Sequence, residues 1–152
     1  RVSFVARVGD VEYYDDSKGT NVGATLAAIN GLGADRDPAR LVMLLGGDGK
    51  GQDFSPLVQP LMRHGRAAAL YGRDARALAE ALAPCAAQGL PLQAHEDLVA
   101  ALRWAREQAR PGDAVVLSPA CATLDQFRNY AHRAEVFVQA VQALAQQVGE
   151  MA

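Results

Sequence analysis

Apolar positions along the chain follow two alternating patterns, short strand-like runs and longer stretches with helical spacing. Residues 2–8 and 11–15 flank Gly9-Asp10, which predicts a hairpin of two strands joined by a tight turn. Leu41-Val42-Met43-Leu44-Leu45 is continuously apolar, as is typical of a buried parallel strand. Three further strands are predicted at 67–71, 91–94 (the weakest) and 114–117.

Helical spacing fills most of the intervals between these runs. The first helix follows Thr20 or Asn21, either of which can cap it, and Gly31 and Gly33 end it. Ser55-Pro56 opens the next helix, with serine at the cap and proline in the first turn. The remaining helices are predicted at 74–83, 96–110 and 125–148, the last beginning with a capping box at Thr123-Leu124-Asp125-Gln126.

Alternation of strands and helices after an initial hairpin predicts an α/β fold. We expect a Rossmann-like, open, mostly parallel sheet of about six strands, with the hairpin at the N-terminus and helices on both faces. Residues 1–152 are most simply a single domain, without internal repeats or linkers. The chain begins at Arg1 in strand-like sequence and without methionine, which we interpret as a domain cut from a longer protein.

Composition narrows the class of protein. Half of the residues are hydrophobic, 21% are charged and the net charge is -2, so nothing favours a nucleic-acid or membrane partner. No apolar run is long enough to cross a bilayer, and no secretory signal is visible. Cys85 and Cys121 form neither a disulfide framework nor a metal motif, and the three histidines lack metal spacing. We therefore expect a cytoplasmic protein without a metal site of its own.

Lysine is rare in this chain, with only Lys18 and Lys50 against thirteen arginines. Both lysines lie in polar, glycine-containing loops that follow apolar runs. Because lysine is a compact point charge and arginine a planar fork, a retained lysine indicates a site that needs an ammonium group. The alternative is chance retention of two solvated loop charges.

Three polar loops follow predicted strands directly, at 15–21, 46–53 and 118–125. In open α/β sheets ligands bind beyond the carboxyl ends of the strands, so these loops should share one rim. Two of them lead into helix N-termini, whose free backbone N–H groups attract anions. The pattern predicts an anion site that contains Lys18, Thr20, Lys50 and Thr123.

Neither glycine-rich loop is a complete nucleotide-binding motif. Gly46 to Lys50 lacks the Walker spacing, and Gly51 stands where a serine or threonine would bind magnesium. No G-x-G-x-x-G follows the first strand. We therefore do not expect the chain to cradle a triphosphate by itself.

The three loops together carry a family pattern. In order, Asp16-Ser17-Lys18-Gly19-Thr20-Asn21, Leu44-Leu45-Gly46-Gly47-Asp48-Gly49-Lys50 and Leu117-Ser118-Pro119-Ala120-Cys121-Ala122-Thr123-Leu124-Asp125-Gln126-Phe127 resemble the C-terminal domain of the Mur ligases. The resemblance covers essentially the whole chain, and the last motif is the most specific. The Asp-Asn-Pro-Arg motif of the diaminopimelate-adding branch is absent, which favours the branch that adds D-glutamate.

The resemblance implies a three-domain, monomeric ligase of peptidoglycan synthesis. Such an enzyme adds D-glutamate to UDP-N-acetylmuramoyl-L-alanine by phosphorylating a carboxylate with ATP and letting the amine attack the acyl phosphate. The N-terminal domain holds the UDP-sugar, and the central domain makes most of the contacts to ATP and Mg²⁺. This chain resembles the third domain, whose partners are these substrates and its own missing domains.

The same resemblance assigns roles to individual positions. On the D-glutamate side, Lys50 and Thr123 resemble the groups that hold the carboxylates, with the backbone of Leu124 helping. Thr20 resembles a further contact, and Tyr130 an aromatic residue that lines the pocket. Thr123 is expected to cap the following helix as well, since a cap hydroxyl faces the same rim, and for Tyr130 a core position is the alternative.

On the nucleotide side, Lys18 resembles a catalytic lysine that approaches the γ-phosphate of ATP and the substrate. Asp16 resembles an acid at the ribose, with a turn cap as the alternative. Arg1 resembles a nucleotide-contacting arginine at the domain junction. Cys121 lies in a functional loop but has no paired base, so we interpret it as a packed thiol.

Two functions of other classes stay open. One is a stand-alone module that binds a small acidic ligand without any reaction. The other is a degenerate copy that serves only in protein interaction. A P-loop domain encoded directly upstream of Arg1 would support the ligase, whereas an unrelated domain there would exclude it.

Overall fold

A computed structural model describes residues 2–123 and 125–151, with the side chains of the last two left aside. The strands are β1 (Ser3–Val8), β2 (Val11–Asp15), β3 (Leu41–Gly46), β4 (Gly65–Tyr71), β5 (Leu92–His95) and β6 (Ala114–Leu117). The helices are α1 (Val22–Gly33), α2 (Val58–His64), α3 (Ala75–Ala81), α4 (Ala83–Ala87), α5 (Leu98–Gln108) and α6 (Tyr130–Met151). None of these helices is both long and apolar enough to cross a membrane.

The six strands form one sheet in the order β1-β2-β6-β3-β4-β5. The β1–β2 pair is antiparallel, and the other neighbouring pairs are parallel. Gly9 and Asp10 both have positive φ, at 56° and 66°, as a tight two-residue hairpin turn requires. The predicted mostly parallel, Rossmann-like sheet with an N-terminal hairpin is therefore confirmed.

The core lies on both faces of the sheet, because side chains alternate along each central strand. On β3, Met43 and Leu45 pack with the apolar residues of α1 to α4 on one face. Val42 and Leu44 pack with those of α5 and α6 on the other face. Helices therefore cover both faces, and β3 and β6 are buried along their whole length.

The segment after the second lysine differs from the prediction. Residues Ser55–Leu57 form a 3-10 turn, and the serine does not act as its cap. Instead, the amide and hydroxyl of Ser55 donate to the Asp53 carboxylate, both at 2.9 Å. The helix predicted at 74–83 is divided into α3 and α4, and Pro84 in the first turn of α4 cannot donate an N–H to a continuous helix.

The last helix begins at Tyr130, five residues later than predicted. The predicted capping box does not form, because the Gln126 side chain donates to the carbonyl of Glu96 at 2.9 Å. Asn129 supplies the cap instead, since its side chain accepts from the amide of His132 at 2.8 Å. Thr123 is therefore not a helix cap, and residues 125–129 form a separate connection.

Candidate functional site

Three loops meet at the carboxyl edge of the sheet. The Lys18 loop (16–21) follows β2, the Thr123 loop (118–123) follows β6 and the Lys50 loop (47–54) follows β3. Because β2, β6 and β3 are consecutive in the sheet, the three loops are neighbours along one rim. The predicted shared rim is confirmed, with the Thr123 loop in the middle.

Backbone hydrogen bonds join the Thr123 loop to both of its neighbours. The amide of Ala120 donates to the carbonyl of Gly19 in the Lys18 loop at 2.9 Å. Ala122 and Asp48 of the Lys50 loop exchange two backbone bonds, at 2.8 and 3.0 Å. The loops therefore form one connected surface, and Lys50 and Thr123 lie within two residues of the bridge that joins them.

Gln52 of the Lys50 loop connects that loop through its side chain to the Thr123 loop and to the first residue of α1, a role that no local sequence pattern predicts. Its amide nitrogen donates to the carbonyls of Gly49 and Ala120, at 3.0 and 2.7 Å. Its amide oxygen accepts from the backbone N–H of Val22 at 2.9 Å. No local pattern distinguishes this glutamine from a solvated one, because its partners are remote in sequence.

The N-terminus of α1 offers fewer donors to an anion than predicted. Asn21 caps the helix and accepts from the amide of Ala24 at 2.9 Å, while Gln52 occupies the amide of Val22. The Thr123 loop does not lead straight into a helix, since α6 begins only at Tyr130. The affinity of this rim for anions therefore depends mainly on its side chains.

The two lysines supply positive charge to the rim. Both side chains are exposed, and neither forms an ion pair with any residue that the structure describes. The ammonium of Lys18 lies 5.8 Å from the centre of the Tyr130 ring, within cation–π range. Tyr130 is 45% exposed, so it belongs to the rim and not to the core.

Lys50 is held in an unusual backbone conformation. Its φ of 51° lies in the left-handed region, where residues other than glycine are uncommon. The Asp48 carboxylate accepts from its amide at 3.0 Å, and the amide of the preceding Gly49 donates to Asp74 at 2.6 Å. These bonds hold the backbone at Gly49 and Lys50, and they therefore fix the direction in which the Lys50 side chain projects from the loop.

Asp16 is the first residue of the Lys18 loop. It is buried, and its carboxylate accepts from the Ser118 hydroxyl at 2.7 Å. The Thr25 hydroxyl on α1 donates to the carbonyl of Ser118 at 3.0 Å, which adds α1 to this buried polar cluster. A Cβ on Gly19 would lie 2.6 Å from the Ser118 hydroxyl, so the loop packs directly on the cluster.

The two threonines differ in their exposure. Thr20 is half-buried, and its amide donates to the carbonyl of Lys18 at 2.8 Å. Thr123 is only 6% exposed, and its carbonyl accepts from the amide of Phe127 at 3.1 Å. Arg1 and Leu124, which the sequence analysis also assigned to the site, lie outside the described residues.

Cys121 is a packed thiol. It is completely buried in the core behind the rim. Burial, assisted by the negative charge of Asp74, raises the pKa of the Cys121 thiol to about 12. The thiolate is therefore scarce near neutral pH, and this cysteine is unsuited to act as a nucleophile.

The rim is an open surface and lies apart from two grooves of about 480 Å³ each. One groove runs between α5 and α6 past Leu102 and Arg106, and the other lies beside Glu12 and Arg36. Within the described part of the chain, no group of three or more histidine, cysteine or acidic residues could hold a metal ion. Lys18 and Lys50 give the rim two exposed cations, and the threonines Thr20 and Thr123 lie in its loops.

These features define an open α/β domain with two exposed lysines on the rim at the carboxyl ends of its strands. The family model described as "Mur ligase, glutamate ligase domain" matches residues 1–121. The chain belongs to this family.

Relatives of similar sequence support this family assignment. The chain is 57% identical over 145 residues to a UDP-N-acetylmuramoylalanine–D-glutamate ligase of Burkholderia orbicola, covering 95% of this chain and 27% of that ligase. It is 56% identical over 144 residues to the ligase of that name from Dechloromonas aromatica, covering 95% of this chain and 30% of the relative. The chain thus spans less than a third of the length of these relatives.

Solved structures share the fold at low sequence identity. One is a domain described as part of a UDP-N-acetylmuramate:L-alanyl-gamma-D-glutamyl-medo-diaminopimelate ligase from Haemophilus ducreyi, with 16% identity and a TM-score of 0.64. It covers 97% of this chain and 99% of that one. Another is a UDP-N-acetylmuramate–alanine ligase from Thermotoga maritima, with 11% identity and a TM-score of 0.60, covering 93% of this chain and 29% of that one.

Proposed function

We propose that this chain is the C-terminal, amino-acid-binding domain of a three-domain cytoplasmic ligase that joins D-glutamate to UDP-N-acetylmuramoyl-L-alanine. The observation that carries the proposal is 57% identity over 95% of the chain to ligases of that name. The rim agrees chemically, because its two lysines form no ion pair with a described residue and so suit a substrate that carries two carboxylates.

D-Glutamate would bind at the middle of the rim. The Lys50 ammonium and the Thr123 hydroxyl hold its carboxylates, and the backbone of Leu124 assists. The left-handed conformation at Lys50 and the Asp48–Ala122 bridge support this assignment, because they hold the Lys50 and Thr123 loops together before any ligand arrives.

Two further residues complete the proposed D-glutamate subsite. Thr20 supplies another polar contact from the Lys18 loop. Tyr130 forms a wall, and its exposed ring beside Lys18 suits that position. The amine of D-glutamate would then face the neighbouring domain, where the activated carboxylate of the UDP-sugar lies.

The nucleotide side of the proposed site lies at the Lys18 loop. When bound, ATP supplies the phosphoryl group that activates the substrate carboxylate. Lys18 is exposed and forms no ion pair with a described residue, so its ammonium is available to stabilise phosphoryl charge. Arg1 would contact the nucleotide at the domain junction.

Two further features of the proposed nucleotide site are the Asp16 carboxylate and Mg²⁺. Asp16 is buried against Ser118, so a direct contact with the ribose requires the Lys18 loop to open. The described residues provide no cluster of metal-binding side chains, and we assign Mg²⁺ to the central domain of the complete ligase.

The test is steady-state kinetics of the full-length ligase that contains this chain. Lys50→Ala should raise the KM for D-glutamate with little change in kcat, because its carboxylate partner is charged in both ground and transition states. Loss of such a charge-assisted contact costs roughly 1.5–3 kcal/mol, or about ten- to a hundredfold in KM.

Arg76→Ala is the matched control, since it removes an exposed cation on α3 that pairs with the exposed Glu80. It should leave the KM unchanged. An unaltered KM in Lys50→Ala would remove Lys50 from the site. A full-length protein that forms no product from ATP, D-glutamate and the UDP-sugar would refute the ligase and favour a binding module.

A further inference from the structure

Arg133 on α6 is completely buried, and its guanidinium joins two loops of the rim. One terminal nitrogen, Nη2, donates to the carbonyl of Ser17 at 2.8 Å, and the other, Nη1, donates to the carbonyl of Cys121 at 3.0 Å. Ser17 directly precedes Lys18, and Cys121 lies two residues before Thr123. A single side chain therefore sets the spacing of the Lys18 loop and the Thr123 loop from below.

The guanidinium is an unusual choice for this position. Burying a cation is costly unless a carboxylate compensates it, yet Arg133 forms no ion pair with any residue that the structure describes. Its Nε atom makes no hydrogen bond, although the guanidinium lies close enough to the buried Tyr71 hydroxyl to oppose the rise that burial causes in the pKa of Tyr71. An apolar residue would avoid the cost of burying a charge, but it would leave the buried carbonyls of Ser17 and Cys121 without these two donors, so the guanidinium joins the loops as well as filling space.

Arginine geometry suits that task. Its planar fork presents two donors at a fixed separation, whereas lysine offers one point charge on a flexible stem. The two acceptors belong to loops that carry different proposed subsites, the nucleotide side at Lys18 and the D-glutamate side at Thr123. The fork therefore fixes one subsite relative to the other.

We propose that Arg133 is a positioning residue that couples the phosphate-facing loop to the D-glutamate-facing loop. The proposal rests on the function proposed above. It adds that the ligase reaction needs the distance between these loops to be held from beneath, by a residue that touches neither substrate.

The experiment compares Arg133→Lys with Arg66→Lys in the full-length ligase. Arg66 is a matched control because it also makes two hydrogen bonds, at 2.8 and 3.1 Å, to the buried Asp113. Asp113 directly precedes β6, so this pair lies at the edge of the sheet opposite the rim. Both variants keep the charge and lose the fork.

Arg133→Lys should lower kcat and raise the KM for D-glutamate, each by about tenfold or more, the scale for losing a hydrogen bond from a charged group. Arg66→Lys should change neither by more than about twofold, at temperatures where both variants remain folded. Equal kinetic effects in the two variants would reduce Arg133 to a structural residue and overturn the proposal.

Amide hydrogen exchange of the same proteins separates this proposal from the proposed function. The amide of Gly19 donates within the Lys18 loop, and the amide of Ala120 donates from the Thr123 loop to the Lys18 loop. Both amides should exchange faster in Arg133→Lys than in the wild type, and their exchange rates should be unchanged in Arg66→Lys. If the wild-type protein has no ligase activity, the exchange result still decides whether Arg133 joins the loops. Unchanged exchange in Arg133→Lys would overturn the role of Arg133 even in an active ligase.

Discussion

At the scale of single residues, the rim separates side chains that face the ligand from side chains that hold the loops. Lys18 and Lys50 are exposed cations without ion-pair partners among the described residues, whereas Gln52 and Asn21 occupy backbone amides of α1. Within the three loops, positive charge is therefore confined to these two ammonium groups. Substitutions at the two lysines should act on chemistry or binding, with little effect on stability.

Lys18→Ala should lower kcat of the full-length ligase by roughly 10²–10³, the scale for losing one preorganised donor to transition-state charge. Charge on the transferring phosphoryl group changes during the reaction, so the loss falls on the chemical step. Lys18→Arg should rescue poorly, because a fork does not replace a compact ammonium. Steady-state kinetics measure both variants.

The control for Lys18 is Arg103→Ala, which removes an exposed cation from α5, away from the rim. It should leave kcat within about twofold of wild type, as expected for a surface substitution away from the site. Near-normal kcat in both Lys18 variants, with unchanged stability, would make Lys18 a solvated loop charge.

At the scale of elements, the unit from β2 through the Lys18 loop to α1 depends on close packing. Gly19→Ala should destabilise this unit by about 1–3 kcal/mol, the usual cost of overpacking. The added Cβ would meet the Ser118 hydroxyl at 2.6 Å and the Asp16 carboxylate at 2.8 Å. Denaturant unfolding of this chain measures the effect.

Gly31→Ala within α1 is the same chemical change, but it should stabilise the chain instead of destabilising it. A Cβ there meets nothing within 4 Å, and alanine favours the helix by about 0.5–1 kcal/mol. The two variants should therefore shift stability in opposite directions. Equal stability of Gly19→Ala and wild type would show that the Lys18 loop does not pack on the buried carboxylate.

Asp113 joins several elements at the opposite edge of the sheet. Its buried carboxylate accepts from the Arg66 side chain on β4 and from the amides of Arg40 and Arg110. Burial raises the pKa of Asp113, but the hydrogen bonds from Arg66 and these amides outweigh it and leave the pKa below its ordinary value. The ionised carboxylate therefore stabilises the fold.

Asp113→Asn should lower the free energy of unfolding by about 3–5 kcal/mol near neutral pH, the cost of breaking a buried pair. Because the folded-state pKa is depressed, this contribution is present above roughly pH 4 and is lost as the pH falls through the folded pKa. Urea unfolding at pH 7 and at pH 3 should show the difference from wild type shrinking at the lower pH.

Glu80→Gln is the control for the pH experiment, because its exposed pair with Arg76 is worth at most about 1 kcal/mol. Its difference from wild type should stay small at both pH values. A constant difference for Asp113→Asn between pH 7 and pH 3 would contradict the role assigned to its charge.

At the scale of the whole molecule, sheet order decides what the chain can do. β6 lies between β2 and β3, so three loops that are distant in sequence share one open rim. In the proposed function, this rim presents an amino acid to a neighbouring domain of the complete ligase. The proposed reaction therefore needs the complete ligase.

The chain expressed alone should release no phosphate from ATP. It lacks a complete phosphate-cradling loop, and its described residues offer no metal-binding cluster. Phosphate release should be measured with Mg²⁺, ATP and the UDP-sugar, using the full-length ligase as the positive control. Turnover that follows the chain through purification would contradict this expectation.

The sequence by itself determined the strands, most of the helices and the shared rim. These features follow from local rules: apolar periodicity, the Gly9-Asp10 turn, and the meeting of parallel strands' carboxyl ends at one edge. The rim positions of Lys18 and Lys50 could be predicted because each lysine lies in a loop that directly follows a predicted strand. The predicted start of α6 was wrong. Asn129 and Gln126 are both local candidates for capping this helix, and the outcome depends on the carbonyl of Glu96, to which the Gln126 side chain donates.

Only the tertiary structure decided how the rim is held together. Arg133 reaches Ser17 across 116 positions, Ser118 reaches Asp16 across 102, and Gln52 reaches Ala120 across 68. Hydrogen bonds between such distant positions leave no local pattern in the sequence. The physical reason is that burial of each polar group, and the partner that satisfies it, exist only after the sheet has brought the loops together.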